Sequence, residues 1–218
     1  MLTARQERLK RCFDIAVAIP VVLLLWPLCL LLIGIATVDT GSFGLFVQIR
    51  IGRFGRPFKL YKIRTMRVNC DNNTVTVAGD TRITRLGRTL RRLKLDEIPQ
   101  FWHVLTGSLS LVGPRPDVAG FADTLTGDAR IILTLRPGIT GASSIRWRDE
   151  EAVLSSVERP IEFNCTTVWP DKVRCNMEYI ERWSLRLDIQ LLAATVLPGH
   201  VQTAWPSVQN AGDLANRE

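Results

Sequence analysis

Two adjacent acidic residues, Asp96 and Glu97, lie in strongly basic surroundings, and this pair is the clearest sign of chemistry in the sequence. From Arg50 to Lys94 the chain has thirteen Lys and Arg residues against two Asp, a local surplus of +11 in a chain of net charge +7. Such a local surplus is typical of proteins with an anionic partner, such as phosphate, membrane lipid or nucleic acid. Carboxylates in this setting suit phosphate chemistry, as a nucleophile or as ligands of Mg²⁺.

The two acids come just before Pro99, which suits the first turn of a helix. A carboxylate near the N-terminus of a helix is stabilised as the anion by about 0.3 to 1 kcal/mol, and neighbouring arginines add to this effect. We therefore expect Asp96 to be ionised at neutral pH. The simpler alternative is that Asp96 only caps the helix.

Two arginine-containing loops follow the acidic pair. In Gly113-Pro-Arg-Pro-Asp, two prolines hold Arg115 in a stiff loop, and a preorganised guanidinium loses less entropy when it binds phosphate oxygens. Alone, this loop could be a structural turn with a solvated arginine. In the second loop, after residue 135, glycine turns precede Trp147 and Arg148. Arg148 could bind phosphate or pair with the acids at 149–151, and Trp147 is the aromatic residue that we would test for nucleotide contact.

An uncharged apolar run of 24 residues, from Ile15 to Val38, is long enough to cross about 30 Å of hydrocarbon as a helix. Basic residues flank both ends, so there is no charge asymmetry of the kind that orients a single span. Pro27 lies in the middle, where proline removes a backbone hydrogen bond and commonly kinks a helix. The residues alone leave two topologies open: a plain span, or a helix that breaks near Pro27 and leaves on the side it entered.

The remaining segments predict a small domain of helices and a β-hairpin. The hairpin is expected from strands near 45–51 and 58–64, and a loop is expected at 68–80. An apolar stripe over 83–93 predicts an arginine-rich amphipathic helix, and one long helix is expected over about 171–197. His103 is expected on a helix surface and His200 in the tail. Five cysteines without a CxxC pair argue against a disulfide framework or a zinc site.

In their order and their motifs, these segments resemble the monotopic phosphoglycosyl transferases, bacterial sugar transferases that use a polyprenol phosphate acceptor. The resemblance runs from about residue 10 to residue 197. It rests on Lys10-Arg-Cys-Phe-Asp, Gln48-Ile-Arg-Ile-Gly-Arg-Phe-Gly-Arg-Pro, Thr81-Arg-Ile-Thr-Arg-Leu-Gly-Arg, Leu95-Asp-Glu-Ile-Pro-Gln, Ser110-Leu-Val-Gly-Pro-Arg-Pro, Arg136-Pro-Gly-Ile-Thr-Gly and Tyr179-Ile-Glu-Arg-Trp-Ser-Leu-Arg-Leu-Asp-Ile.

The resemblance implies a reaction in two halves. Asp96 would attack the sugar-bearing phosphate of a nucleoside diphosphate sugar, usually a UDP-sugar, and release UMP. Polyprenol phosphate, usually undecaprenyl phosphate, would then take the phosphosugar and start surface glycoconjugate assembly. Glu97 would help to hold Mg²⁺ or orient Asp96. The cations that match family positions near the phosphates are Lys62, Arg91, Arg115 and Arg148.

The resemblance also implies an α+β architecture at the bacterial inner membrane. Residues 1–40 would form an interfacial and re-entrant membrane helix broken at Pro27. Residues 41–205 would form a mostly helical catalytic domain on the cytosolic leaflet, with a short β-hairpin and membrane-surface amphipathic helices, and 206–218 a polar tail. No nucleic acid partner is expected, and a homodimer stays open. The competing interpretation is a membrane-anchored anion-binding module without catalysis.

Overall fold

The computed structural model of the protein describes residues 1–68 and 80–197. Most of the loop expected at 68–80, the 206–218 tail and His200 lie outside these residues. In chain order the helices are α1 (Ala4–Thr40), α2 (Arg85–Arg92), α3 (Gln100–Thr106), α4 (Ala142–Arg146), α5 (Glu150–Ser156), α6 (Pro160–Phe163), α7 (Trp169–Glu181) and α8 (Leu185–Val196). The strands are β1 (Leu45–Ile51), β2 (Pro57–Ile63), β3 (Ser110–Val112) and β4 (Gly138–Thr140). The fold is thus mostly helical with little sheet, as expected.

Helix α1 is 37 residues long and is apolar and long enough to cross a membrane. A capping box fixes its start, because the Thr3 hydroxyl accepts from the Gln6 N–H while the Gln6 side chain accepts from the Thr3 N–H. Near its N-terminus it buries Lys10, Asp14 and Ala18, which share one face at four-residue spacing. Towards its C-terminus it buries Cys29, Leu32, Ala36 and Thr40. No residue from 19 to 28 is buried, so an apolar middle section is exposed between two packed ends.

Strands β1 and β2 form the predicted antiparallel hairpin, with Leu45 opposite Ile63 and Ile51 opposite Pro57. Helix α3 packs against β2, so His103 is buried and not on a helix surface as expected. Its Nε2 accepts from the Tyr61 backbone N–H at 3.2 Å. Burial lowers the pKa of His103, which favours the neutral imidazole that this hydrogen bond requires.

A second, parallel pair joins β3 and β4, with Ser110 opposite Gly138 and Val112 opposite Thr140. Strands of three residues carry too little alternation to be found in the sequence. A Cβ atom on Gly138 would lie 2.2 Å from the backbone N of Gly113, so only glycine permits this approach. The pair thereby fixes the Gly-Pro-Arg-Pro loop against the segment that leads into α4.

The single helix predicted over 171–197 is two helices, and that prediction is wrong. α7 ends at Glu181, and Ser184 takes an extended conformation and begins α8. Its hydroxyl accepts from the Leu187 N–H at 3.2 Å, which is an N-cap hydrogen bond. Ser184 is therefore a start signal for α8 and not part of a continuous helical face.

A buried ion pair joins α1 to α8 inside the main core. Lys10 Nζ on α1 lies 2.6 Å from Asp188 Oδ2 on α8, and Asp188 is 0% exposed. Asp188 also accepts from the Tyr179 hydroxyl at 2.6 Å and from the Trp183 indole N–H at 3.2 Å. Such a carboxylate is stable only because all of these donors are present.

Replacing Lys10 by methionine should destabilise the protein strongly, because Asp188 would keep its buried charge without a cation. Loss of one partner of a buried pair costs about 3–5 kcal/mol, which for a chain of this size corresponds to roughly 6–20 °C in Tm. Thermal unfolding in detergent measures this shift. Arg159→Met is the control, because the Arg159–Glu162 pair is exposed and worth about 0–1 kcal/mol. Equal shifts for the two variants would contradict a structural role for the Lys10 pair.

Candidate active site

A cavity of about 850 Å³ opens between the hairpin, α2, α4 and α7. It contains every side chain that the sequence singled out for phosphate chemistry, namely Lys62, Arg91, Asp96, Glu97, Arg115 and Arg148. These residues come from four separate stretches of the chain. The structure brings them together, and their individual roles remain predictions.

The acidic pair lies on a 3₁₀ turn, Leu95–Glu97, directly before α3. Lys94 precedes the turn with a φ of 57°, a left-handed conformation that reverses the chain after α2. Asp96 and Glu97 are only 7% and 9% exposed. The cap of α3 is Pro99, and no side chain bonds to the helix start there. The alternative in which Asp96 only caps the helix is therefore wrong.

Glu97 is held by two cations from distant segments. Its Oε1 accepts from Arg115 Nη2 at 2.9 Å and from Lys62 Nζ at 3.3 Å. Burial alone would raise the pKa of Glu97, but the charges of Arg115 and Lys62 outweigh it and hold the pKa well below its usual range. Glu97 is thus a permanent anion, and it fixes the positions of both cations.

Asp96 has the opposite environment. Its Oδ1 is buried and has no hydrogen-bond partner among the described residues. Burial, together with the negative charge of Glu97, raises the pKa of Asp96 above its ordinary value, although Lys62, Lys94 and Arg91 act in the other direction. The sequence predicted stabilisation of the anion, and the direction of this prediction is wrong because the carboxylate is desolvated. A basic, unpartnered carboxylate oxygen is a better nucleophile than a solvated one.

The other two predicted cations are less tightly held. Arg91 Nη1 lies 3.8 Å from Glu151 Oε1, at the limit of an ion pair. Arg148 Nη2 donates to the Ala194 carbonyl at 2.7 Å, so it is bound to α8 rather than to the acids that follow it. The cavity is also lined by cations for which the sequence predicted no role, namely Arg88, Arg92, Lys94 and Lys172. The excess of Lys and Arg over Asp and Glu in its wall suits an anionic substrate.

Trp147, the aromatic residue singled out for nucleotide contact, lines the cavity but is only 4% exposed. Its indole N–H donates to Asp171 Oδ2 at 2.8 Å. Asp171 also pairs with Arg146. The ring is therefore fixed as part of the wall, and its polar atom is already used.

Asp117, Ser144 and Asn176 are further cavity residues to which the sequence assigned no role. Asp117 follows the Pro-Arg-Pro motif, and burial raises its pKa to about 6 against the opposing charges of Lys172 and Arg50. Ser144 and Asn176 lie on α4 and α7. Their place in the cavity depends on helix packing, so no local motif marks them. Asp117 could have been found from the sequence, because it directly follows the Pro-Arg-Pro motif that contains Arg115.

The carboxylates of the cavity fit a Mg²⁺ ion that takes few protein ligands. No cluster of three or more His, Cys, Asp or Glu side chains that could hold a metal occurs in residues 1–68 and 80–197. Mg²⁺ in phosphate-binding enzymes commonly uses one or two carboxylates and completes its coordination with water and substrate oxygens. The unpartnered Oδ1 of Asp96 suits this use better than Glu97, whose Oε1 is already bound by two cations.

Comparison with known proteins shows that the chain is similar to sugar transferases. The family model described as bacterial sugar transferase matches residues 5–200. The UDP-glucose:undecaprenyl-phosphate glucose-1-phosphate transferase of Escherichia coli K12 is 37% identical over 210 residues, which are 93% of this chain and 42% of that protein. The uncharacterized sugar transferase EpsL of Bacillus subtilis 168 is 34% identical over 188 residues, 86% of this chain and 85% of that protein.

A third relative is the UDP-galactose-lipid carrier transferase of Erwinia amylovora, 34% identical over 205 residues. These cover 86% of this chain and 39% of that protein. The chain thus spans less than half the length of the Escherichia and Erwinia relatives, and most of the length of the Bacillus relative.

Asp117→Asn should flatten the dependence of stability on pH between about 4 and 6. The pKa of Asp117 is about 6 in the fold against an ordinary 3.8, so the folded state binds more protons in this window. Stability conferred by the protonated carboxyl is therefore lost as the pH rises through the window. Above pH 6 the variant should unfold at a higher temperature than the wild type. Thermal unfolding from pH 4 to 8 measures both effects.

The control for this experiment is Asp128→Asn, which removes an acid that is exposed and does not line the cavity. It should leave the slope of Tm against pH unchanged. If Asp117→Asn keeps the wild-type slope as well, Asp117 does not titrate in the window.

Proposed function

Because this chain belongs to the bacterial sugar transferase family, we propose that it transfers a phosphosugar from a UDP-sugar to polyprenol phosphate through a covalent intermediate on Asp96. The observation that carries the mechanism is the contrast between two adjacent buried acids. Glu97 is bound by Lys62 and Arg115, whereas Asp96 lines the same cavity and has a carboxylate oxygen without a hydrogen-bond partner among the described residues. One acid organises the cations and the other is available to react.

In the first half-reaction, a carboxylate oxygen of Asp96 forms a bond to the sugar-bearing phosphorus. The bond from that phosphorus to the bridging oxygen breaks, and UMP leaves with the electron pair. Cations around the cavity offset the repulsion between the carboxylate and the diphosphate, which is the main obstacle to this displacement. Arg115 is well placed for this role, because Glu97 fixes its guanidinium while its side chain stays 42% exposed.

In the second half-reaction, a phosphate oxygen of polyprenol phosphate forms a bond to the same phosphorus. The bond between Asp96 and phosphorus breaks, so the products are polyprenyl diphosphate sugar and the original carboxylate. Two successive displacements let one small site handle two bulky anions in turn. We propose undecaprenyl phosphate as the acceptor, since the Escherichia relative is named for it. The reaction would start surface glycoconjugate assembly.

We propose Mg²⁺ as the cofactor, with Asp96 as its main protein ligand and Glu97 close by. When bound, Mg²⁺ would act as a Lewis acid that offsets the negative charge of the diphosphate oxygens. Lys62, Arg91, Arg115 and Arg148 bind and orient the phosphates from the remaining wall of the cavity.

We also propose that α1 enters the cytosolic leaflet of the inner membrane, bends at Pro27, where it nevertheless remains helical, and leaves on the same side. Its N-terminal part is joined to α8 through Lys10 and Asp188. Its C-terminal part packs in one apolar cluster with Ile63, Leu90 and Ile98. A plain span would place the two ends on opposite sides, and they could not both contact one domain. The exposed apolar middle, which contains Pro27, is the part that lipid would cover.

A non-catalytic anion-binding module explains this site less well. Two buried carboxylates in the cavity oppose the binding of an anion and cost free energy through desolvation. A module selected only for its affinity for an anion would bind more tightly without these two carboxylates. Salt-dependent binding that is indifferent to Asp96 and Glu97, without release of UMP, would favour the module.

Asp96→Asn should abolish the covalent intermediate, because a carboxamide is not a competent nucleophile. Incubation with Mg²⁺ and a UDP-sugar labelled on its β-phosphate should leave acid-precipitable label on the wild type and none on the variant. Release of UMP should fall by roughly 10³-fold or more. Asp149→Asn, which also changes a cavity acid, should still be labelled. Equal labelling of wild type and Asp96→Asn would remove the aspartyl mechanism.

The re-entrant topology predicts that both ends of α1 lie on one side of the membrane. In a cysteine-less background, Ala4→Cys and Phe43→Cys place single thiols at exposed positions beyond the two ends of the apolar run. Both should react with a membrane-impermeant thiol reagent from the same face of sealed vesicles, together with a control thiol at Glu158 on the domain surface. Reaction of the first two from opposite faces would establish a plain span.

A further inference from the structure

Ser144 on α4 and Asn176 on α7 line the cavity and carry buried polar atoms without a hydrogen-bond partner among the described residues. Five buried side-chain atoms of the described residues lack a hydrogen-bond partner, and three of them belong to residues that line the cavity. One is Oδ1 of Asp96, the residue proposed as the nucleophile. The other two are Ser144 Oγ and Asn176 Oδ1. Because buried polar groups are nearly always paired in folded proteins, this concentration indicates a ligand.

The position of Asn176 makes it the stronger of the two signals. It is only 4% exposed, it lies on α7 where that helix packs against α4, and it lines the cavity. Nearby hydroxyls are already used, since Thr140 and Thr195 bond to each other at 2.7 Å and Thr195 also donates to the Leu191 carbonyl. Asn176 Oδ1 and Ser144 Oγ, by contrast, have no hydrogen-bond partner among the described residues.

The chemistry of the Asn176 carboxamide oxygen excludes most of the proposed substrates as its partner. An unpaired carboxamide oxygen needs an N–H or O–H donor. Ionised phosphate oxygens only accept, and a polyprenol chain offers no polar group. The uncharged parts of a nucleotide sugar do carry donors, on the hydroxyls of the sugar and on the imide N–H of uracil. These parts also carry acceptors for the Ser144 hydroxyl.

We propose that Asn176 and Ser144 form a neutral hydrogen-bonding subsite that recognises the uncharged, donor-bearing part of the nucleotide sugar, apart from the cations that bind its diphosphate. This proposal rests on the proposed function for the identity of the ligand. It adds the residues that select the donor substrate. Binding of UDP does not require turnover, so the subsite can be tested even if the covalent mechanism fails.

The test uses the full chain in detergent with Mg²⁺ and measures binding by calorimetry. The variants are Ser144→Ala and Asn176→Leu, and Asn164→Leu is the control because Asn164 does not line the cavity. Each is titrated with UDP and, in the Asp96→Asn background, with UDP-sugars that differ at a single hydroxyl. Loss of one neutral hydrogen bond should weaken binding by about 3- to 10-fold.

Two outcomes support the subsite and identify its ligand. If it recognises uracil, both variants bind UDP about 3- to 10-fold more weakly and all UDP-sugars lose affinity equally. If it recognises the sugar, UDP binding is unchanged and the preference among the UDP-sugars changes by a similar factor. Asn164→Leu should change neither.

The unfolding temperature separates ligand binding from a purely structural role. An unpartnered buried carboxamide destabilises the ligand-free protein, so Asn176→Leu should keep or raise the Tm while losing part of the Tm gain caused by UDP or a UDP-sugar. The proposal would be overturned if Asn176→Leu lowers the Tm while Ser144→Ala binds UDP and the UDP-sugars as the wild type does. Unchanged affinity and unchanged sugar preference in both variants would overturn it as well.

Discussion

The contact of Glu97 with Lys62 and Arg115 is the interaction on which the cavity depends. Each of the three side chains comes from a different part of the fold: the 3₁₀ turn before α3, strand β2 and the loop after β3. A buried carboxylate is tolerated only when cations compensate its lost hydration, so the three parts are bound to meet at one point. The packing of Gly138 against Gly113 then sets where the Arg115 loop can lie. Asp96 is held in position because it is adjacent to Glu97, although it takes no part in the hydrogen bonds to Lys62 and Arg115.

The second constraint is that both ends of α1 pack against the rest of the protein, so the helix is more than a membrane anchor. Its two ends contribute to two different apolar clusters, one around Leu111 and Tyr179 and the other around Ile63 and Leu90. Arg11 adds hydrogen bonds to the carbonyls at the C-terminal end of α3. The depth of the anchor and the position of the cavity are therefore mechanically linked. This link suits the proposed reaction, in which a water-soluble and a lipid-borne substrate meet at one carboxylate.

The sequence predicted what depends on local pattern. The apolar run predicted α1, and alternation predicted the hairpin. Short motifs identified the acidic pair, Arg115 and Arg148, and the family resemblance added Lys62 and Arg91. The fold brings all of these residues to one cavity. The sequence failed where distant packing decides. His103 is buried because β2 covers it, and the pKa of Asp96 is raised because the site excludes water. Ser144 and Asn176 come to line one cavity through the packing of α4 against α7. The spacing of Ser184 assigned it to a helical face, whereas its hydroxyl caps α8.

The pairing of Lys10 with Asp188 spans 178 positions of the chain, and this separation bears on how the protein is made. Contacts between residues so far apart form late, because loop-closure entropy opposes them until most of the intervening chain is ordered. Translation runs from the N-terminus, so the apolar helix is synthesised before α8. Lys10 must then remain solvated at the membrane surface until α8 arrives. Insertion of the anchor thus precedes completion of the core, and the bilayer holds one half of the final contact in place while the other half is being translated.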